Sequence, residues 1–116
     1  MMRTRPEKPG RAWRPALLSA FACLAGGAVA DDAAVGRAKA QTCAVCHGPL
    51  GLSVQPDTPN LAGQPVIYLS AQLKAYRSGS RKHEVMSVMA RPLSDDDIAA
   101  LATWFSSIRV DAQPPP

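Results

Sequence analysis

Apolar residues recur at helical spacing near the C-terminal end of the chain. They stand at positions i, i+3, i+4 and i+7: Ile98, Leu101, Ala102 and Phe105. This spacing places them on one face of an amphipathic helix. Ser94 precedes the stripe as a suitable N-cap, and Asp97 stands where a capping box needs an acceptor side chain. The pattern therefore predicts a helix that begins just after Ser94.

A second apolar stripe indicates a helix in the middle of the chain. Leu69, Leu73 and Tyr76 follow at i, i+4 and i+7, and the helix is predicted to run to about Ser78. Pro65 suits its first turn, because a proline there loses no intrahelical hydrogen bond. Gly79 suits the position after its last residue.

The alanine-rich residues 31–46 predict a first helix. Gly36 within it destabilises a helix by about 1 kcal/mol relative to alanine, so either another helix crosses closely there or the glycine is simply tolerated. Residues 48–65 and 80–93 are predicted loops, the first because it is rich in proline and glycine. No stretch alternates like a strand, and we expect an all-α domain with three helices and two functional loops.

The predicted first helix ends in the run Cys43-Ala44-Val45-Cys46-His47. A Cys-x-x-Cys-His run is typical of covalent c-type haem attachment. Two thiols three residues apart lie on the same side of a helical turn, where both can react with the vinyl groups of one porphyrin. The histidine that follows is then held under the ring, where a ring nitrogen can ligate iron. We therefore predict Cys43 and Cys46 as thioether residues, His47 as an axial ligand, and one haem c.

The same run has three other interpretations. A redox dithiol uses Cys-x-x-Cys, but in a βαβ setting and without this histidine. A zinc site needs four ligands, and the remaining histidine, His83, lies far along the chain. A structural disulfide across two intervening residues would be strained. The dithiol is the strongest of these alternatives.

The first thirty residues differ from the rest in composition. A basic segment is followed by an uncharged apolar run that ends in Ala28-Val29-Ala30, the pattern of a secretory signal peptide with cleavage after Ala30. An uncleaved anchor and a lipoprotein attached at Cys23 are the alternatives. We predict a signal peptide over 1–30, a monohaem domain over 31–110 and a disordered proline-rich tail over 111–116. This implies a periplasmic protein with no membrane span after cleavage.

Removal of residues 1–30 also changes the charge. Five of the thirteen basic residues and one of the nine acidic residues lie there, so the remaining chain carries eight of each. The basic isoelectric point therefore belongs to the export signal and gives no reason to expect a nucleic-acid partner. A covalently attached haem would also help to stabilise a domain this small.

The second axial position of the iron has three candidate ligands in residues 80–93, namely Met86, Met89 and His83. Spacing alone does not choose between the two methionines, at least one of which is expected to fill the core. Charged neighbours surround His83, which favours a solvated side chain over a ligand.

Four segments resemble class I cytochromes c, in particular single-domain c553-type proteins and one half of the dihaem cytochrome c4 group. They are GRAKAQTCAVCHG (36–48), PNLAGQ (59–64), YLSAQLKAYRSGSR (68–81) and MSVMARPLSDDDIAALATWF (86–105). The resemblance implies a class I cytochrome c fold of three to four helices around one haem. The first and last helices would cross at Gly36 and an aromatic residue, Trp104 or Phe105.

The same resemblance assigns further site residues. It implies Met86 as the distal ligand, because the family's methionine lies seven residues before the leucine that corresponds to Leu93. It also implies that the Pro59 carbonyl faces the ring N–H of the proximal histidine, which would orient the imidazole. Cytochrome c4 proteins have two attachment motifs, whereas this chain has one, so we expect one haem per subunit.

With both axial positions filled, the expected function is single-electron transfer and not catalysis. Expected partners are redox proteins: a membrane cytochrome complex, a terminal oxidase or a dehydrogenase. The alternatives are a haem-containing subunit of a periplasmic dehydrogenase, and a ligand-binding or peroxidatic haem protein. Five basic residues near the second loop could steer an acidic partner, or they could form a solvated face or pair with the haem propionates: Lys74, Arg77, Arg81, Lys82 and Arg91.

Overall fold

The computed structural model describes residues 27–116, with side chains from Asp32 onward. It has five helical segments: α1 (Gly27–Lys39), α2 (Gln41–His47), α3 (Val66–Ser78), α4 (Met86–Ala90) and α5 (Asp95–Ser107). Residues 27–116 contain no β-strand, which confirms the all-α prediction. The predicted signal peptide lies outside the described residues, except for Gly27–Ala30, which form the start of α1.

Two helix predictions differ from the structure. The single helix expected over 31–46 is divided at Ala40 into α1 and α2. The Ala40 amide nevertheless donates to the Gly36 carbonyl at 2.8 Å, as in a continuous helix. The loop expected over 80–93 contains the five-residue helix α4. The expected middle and last helices, with Gly79 in a left-handed conformation after α3, are confirmed.

Helices α1 and α5 cross at Gly36. A β-carbon on Gly36 would collide with the Ala100 carbonyl oxygen and would lie 2.8 Å from the Trp104 β-carbon. Only a glycine allows two helix backbones to approach this closely. The predicted crossing at Gly36 and an aromatic residue is therefore confirmed, and Trp104 is that residue.

The N-terminus of α5 is closed by the predicted capping box. The Asp97 amide donates to Ser94 Oγ and the Ser94 amide donates to Asp97 Oδ2, each at 3.0 Å. Lys39 at the end of α1 forms an ion pair with Asp97 at 2.6 Å. This pairing and the capping bonds lower the pKa of Asp97 to about 2, with the Lys39 hydrogen bond as the largest cause. Asp97 therefore connects the start of α5 to the end of α1.

The apolar stripe of α5 forms the centre of the core, since Ile98, Leu101, Ala102 and Phe105 are all buried. Helix α3 packs against α5 and contributes the buried Leu69. Within the described part of the chain, no helix is long and apolar enough to cross a bilayer.

Candidate functional site

Helix α2 carries both thiols and the histidine of the Cys-x-x-Cys-His run. Cys43 is half-buried against the core, Cys46 is exposed, and neither forms a disulfide. His47 is the last residue of α2 and only 7% exposed. Because residues three apart share a helix face, both thiols are presented on the same side of α2.

The buried ring of His47 is oriented by the chain that follows it. His47 Nδ1 lies 2.8 Å from the Pro59 carbonyl oxygen. A carbonyl oxygen only accepts, so Nδ1 carries the proton and Nε2 keeps its lone pair for a metal. Such a bond also increases the electron donation of a ligating imidazole.

The loop that brings Pro59 to His47 is fixed at two ends. Gly51 is buried with a φ of 72°, and its carbonyl accepts from the Leu61 amide at 2.7 Å. A β-carbon on Gly51 would lie 2.8 Å from the Phe105 ring, so the loop lies directly on α5. Farther along, the Gly63 amide donates to the Phe105 carbonyl at 2.9 Å. Phe105 therefore holds the loop in place through its ring, against Gly51, and through its carbonyl, which bonds to Gly63.

Ser53 and Asn60 make a second connection, which was not predicted from the sequence. The Ser53 amide donates to Asn60 Oδ1 at 2.8 Å, and the Ser53 hydroxyl donates to the Cys46 carbonyl at 3.2 Å. These bonds join the end of α2 to the residue directly after Pro59. The motif PNLAGQ was the available signal, since it contains Asn60 next to Pro59.

The environment of Cys43 argues against a redox dithiol. Burial is the largest cause that raises the pKa of its thiol, and the neighbouring Cys46 raises it further. A reactive dithiol depends on a lowered pKa, because the thiolate is the nucleophile. The zinc alternative also lacks support, because no group of three or more His, Cys, Asp or Glu side chains suited to a metal occurs among the described residues.

The candidates for the second axial position lie on or beside α4. Met86 is its first residue and is half-buried, whereas Met89 is 37% exposed. His83 is exposed, and its Nδ1 accepts from the amides of Val85 and Met86 at 3.2 and 3.3 Å. This contact was not predicted from the sequence, and it makes His83 a structural residue of the turn before α4.

The residues present fit a haem held between α2 and α4. No Cα atom of α2 lies within 8 Å of one of α4, so the two elements that carry His47 and Met86 are separated. Five of the nine buried apolar side chains among residues 32–116 are alanines, while twelve large apolar side chains there are exposed. Because so few large side chains are buried, we expect a further apolar group, such as haem, to complete the core. The thiol pair and the oriented imidazole match the chemistry of haem c attachment.

Comparisons with known proteins identify relatives of the whole domain. A family model described as cytochrome c matches residues 33–109. Cytochrome c-554(548) of Halomonas halodenitrificans is 48% identical over 81 residues, which cover 67% of this chain and 98% of that protein. A thiosulfate dehydrogenase electron acceptor of Stutzerimonas stutzeri is 45% identical over 69 residues, covering 57% of this chain and 32% of the relative.

A solved structure agrees with the fold. The crystal structure of reduced recombinant cytochrome c4 from Pseudomonas stutzeri has a TM-score of 0.63 and 40% sequence identity. The match covers 66% of this chain and 45% of that one. The chain thus spans nearly all of the first relative, but less than half of the other two proteins.

Proposed function

Because this chain belongs to the cytochrome c family of haem c-binding electron carriers, we propose that it is a periplasmic carrier whose iron is ligated by His47 and Met86. In this proposal Cys43 and Cys46 form the thioether bonds to one haem c. The observation that carries it is the 2.8 Å contact between His47 Nδ1 and the Pro59 carbonyl, because it leaves Nε2 free to ligate.

The residues around the site support electron transfer over catalysis. The haem supplies a one-electron change between ferric and ferrous iron when it is bound. Two protein ligands leave no position open for a substrate. The Pro59 carbonyl keeps the His47 ring in one orientation and tautomer, which limits the rearrangement that accompanies a change of charge. Electron transfer, with little movement of the iron ligands and no open coordination position, is therefore the function that this arrangement supports best.

The redox partners are proposed only by class: a membrane cytochrome complex, a terminal oxidase or a dehydrogenase. One relative's name, thiosulfate dehydrogenase electron acceptor, supports a dehydrogenase as donor, although this chain covers only 32% of that relative. Membership as the electron-transfer subunit of such an enzyme is compatible with the same chemistry. Export to the periplasm is supported by the basic and apolar composition of residues 1–30.

Absorption spectroscopy of the purified holoprotein tests the ligand assignment. We expect covalent low-spin haem and, in the ferric state, the weak red band of methionine ligation. Met86→Ala should lose that band, whereas Met89→Ala should keep it. A wild-type protein that is high-spin and binds CO readily after reduction would instead support the ligand-binding or peroxidatic alternative.

The basic residues near the second loop are not equivalent candidates for steering a partner. Arg77 donates to the Leu93 carbonyl at 2.8 Å and pairs with Asp95 at 2.6 Å, so it is engaged within the domain. Arg81 lies 4.6 Å from the centroid of the Tyr76 ring. Lys74 is exposed and is therefore the better position for charge reversal.

Stopped-flow electron transfer with an acidic partner tests the steering. Lys74→Glu should slow association at low salt, and the difference should shrink at high salt. Asp57→Lys is the control: it changes the net charge by two units in the opposite direction, lies in the loop between α2 and α3 and not on α3, and should leave the rate unchanged. Equal association rates for wild type and Lys74→Glu at low salt would show that Lys74 does not steer the partner.

A further inference from the structure

His83 closes the turn from which α4 begins. Its Nδ1 lies 3.2 Å from the Val85 amide nitrogen and 3.3 Å from the Met86 amide nitrogen. A backbone N–H can only donate, so Nδ1 accepts both bonds, as a side-chain oxygen does at a helix N-cap. The amide of Met86 is therefore held by a side chain and not by a preceding helical turn.

A reciprocal pair of bonds reinforces the same turn. The His83 amide donates to Ser87 Oγ, and the Ser87 amide donates to the His83 carbonyl, both at 3.0 Å. Helix α4 has only five residues, and Val85, directly before it, provides no side-chain cap. Because so short a helix is not stable through its own hydrogen bonds, its position depends on these contacts and on packing.

The ring of His83 also connects this turn to α3. It stands edge-on to the Tyr76 ring, with centroids 6.5 Å apart and an interplanar angle of 74°. Arg81 covers the same Tyr76 ring and donates to Gln72 Oε1. Helix α4 packs on α3 as well. The backbone at Met86 is thus fixed relative to a long helix of the domain, and His83 makes the connection.

We propose that His83 is a positioning residue for the distal ligand, holding the Met86 backbone where its thioether reaches the iron. This inference rests on the proposed function, in which Met86 is that ligand. A methionine side chain has three rotatable bonds and does not define a ligand position by itself. The backbone must therefore be preorganised, and without the His83 acceptor an external ligand should displace the thioether more easily.

Titration of the ferric holoprotein with imidazole, followed at the red methionine band, tests this role. His83→Ala should raise the apparent affinity for imidazole about fivefold, the factor that corresponds to one lost helix cap. His83→Asn keeps an acceptor that can bond to the amides two and three residues ahead, and should restore an affinity close to wild type. His83→Leu retains bulk against Tyr76 but has no acceptor, and should behave like His83→Ala.

Ser94→Ala is the matched control, because it also removes a helix cap but lies at the start of α5. It should lower the thermal midpoint and leave the imidazole affinity unchanged. Equal increases in affinity for Ser94→Ala and His83→Ala would overturn the inference, since general destabilisation would then explain both. Wild-type affinity in both His83→Ala and His83→Leu would also overturn it.

The outcome for Met86 separates this inference from the proposed function. If wild type shows the red band and Met86→Ala loses it, the ligand assignment stands whatever the His83 variants do. If wild type lacks the band, or Met86→Ala keeps it, the ligand assignment is wrong and the role of His83 is overturned with it.

Discussion

The crossing of α1 and α5 at Gly36 provides a stringent test of the fold, because a single methyl group there has no room. A β-carbon on Gly36 would collide with the Ala100 carbonyl and lie 2.8 Å from the Trp104 β-carbon. Non-bonded carbon atoms prefer separations of about 3.5–4.0 Å, so the two helices would have to move apart by about 1 Å. The first contact is with backbone, which cannot rotate away as a side chain can.

The expected magnitude for Gly36→Ala combines two opposing effects. Overpacking of a close contact typically destabilises by up to about 3 kcal/mol, whereas alanine favours the helix over glycine by about 1 kcal/mol. The net loss in the free energy of unfolding is therefore about 2 kcal/mol, which for a domain of this size lowers the thermal midpoint by about 8–16 °C.

Thermal unfolding of the holoprotein, followed by far-ultraviolet circular dichroism, measures this loss. Ala38→Gly is the control: Ala38 is exposed on the same helix, so this change should show only the propensity effect of about 1 kcal/mol. A Gly36→Ala protein as stable as wild type, or more stable, would refute the close crossing.

Three further predictions concern other contacts of the domain. The pKa of Asp97 is lowered from 3.8 to about 2, so the ionised carboxylate stabilises the folded state fully above about pH 4, and this stabilisation is lost as the pH falls toward 2. In Asp97→Asn the thermal midpoint should therefore vary less with pH over that range. Arg77→Met should leave the Leu93 carbonyl without its donor and lower the free energy of unfolding by about 1 kcal/mol in urea, whereas the control Lys74→Met should not. Asn60→Ala should loosen the segment that holds Pro59 and so weaken the hydrogen bond from His47 Nδ1 to the Pro59 carbonyl. The imidazole then donates less electron density to the iron, and the reduction potential measured by potentiometric titration should rise. A potential equal to wild type would contradict that last expectation.

Features encoded by local spacing were predicted well from the sequence. The stripe on α5 and its capping box depend on residues within one or two turns of each other, and both are present. The end of α3 at Gly79 likewise follows from one residue's tolerance of a left-handed conformation. Periodicity and capping chemistry operate over these short distances, so no knowledge of tertiary contacts was needed.

The departures occurred where tertiary contacts decide the local structure. Helix α4 is too short to produce a recognisable apolar period, and its first turn is held by a histidine, which is not among the usual capping residues. The division of the first helix at Ala40 has no glycine or proline to mark it. Ala40 is nearly fully buried in the main core cluster, so the division coincides with a tertiary packing contact.

The two proposed axial ligands are therefore determined in different ways. His47 follows Cys46 directly, so covalent attachment of the haem would by itself bring it near the iron, and the Pro59 carbonyl would need only to orient its ring. Met86 has no covalent link to the haem, and Met89, three residues later, falls on nearly the same side of a helix. The two methionines differ in how their amides are bonded: the Met86 amide donates to His83 Nδ1, whereas the Met89 amide donates to the Val85 carbonyl. It follows that substitutions in the turn before α4 should change the ligation of the iron while leaving haem attachment at α2 intact.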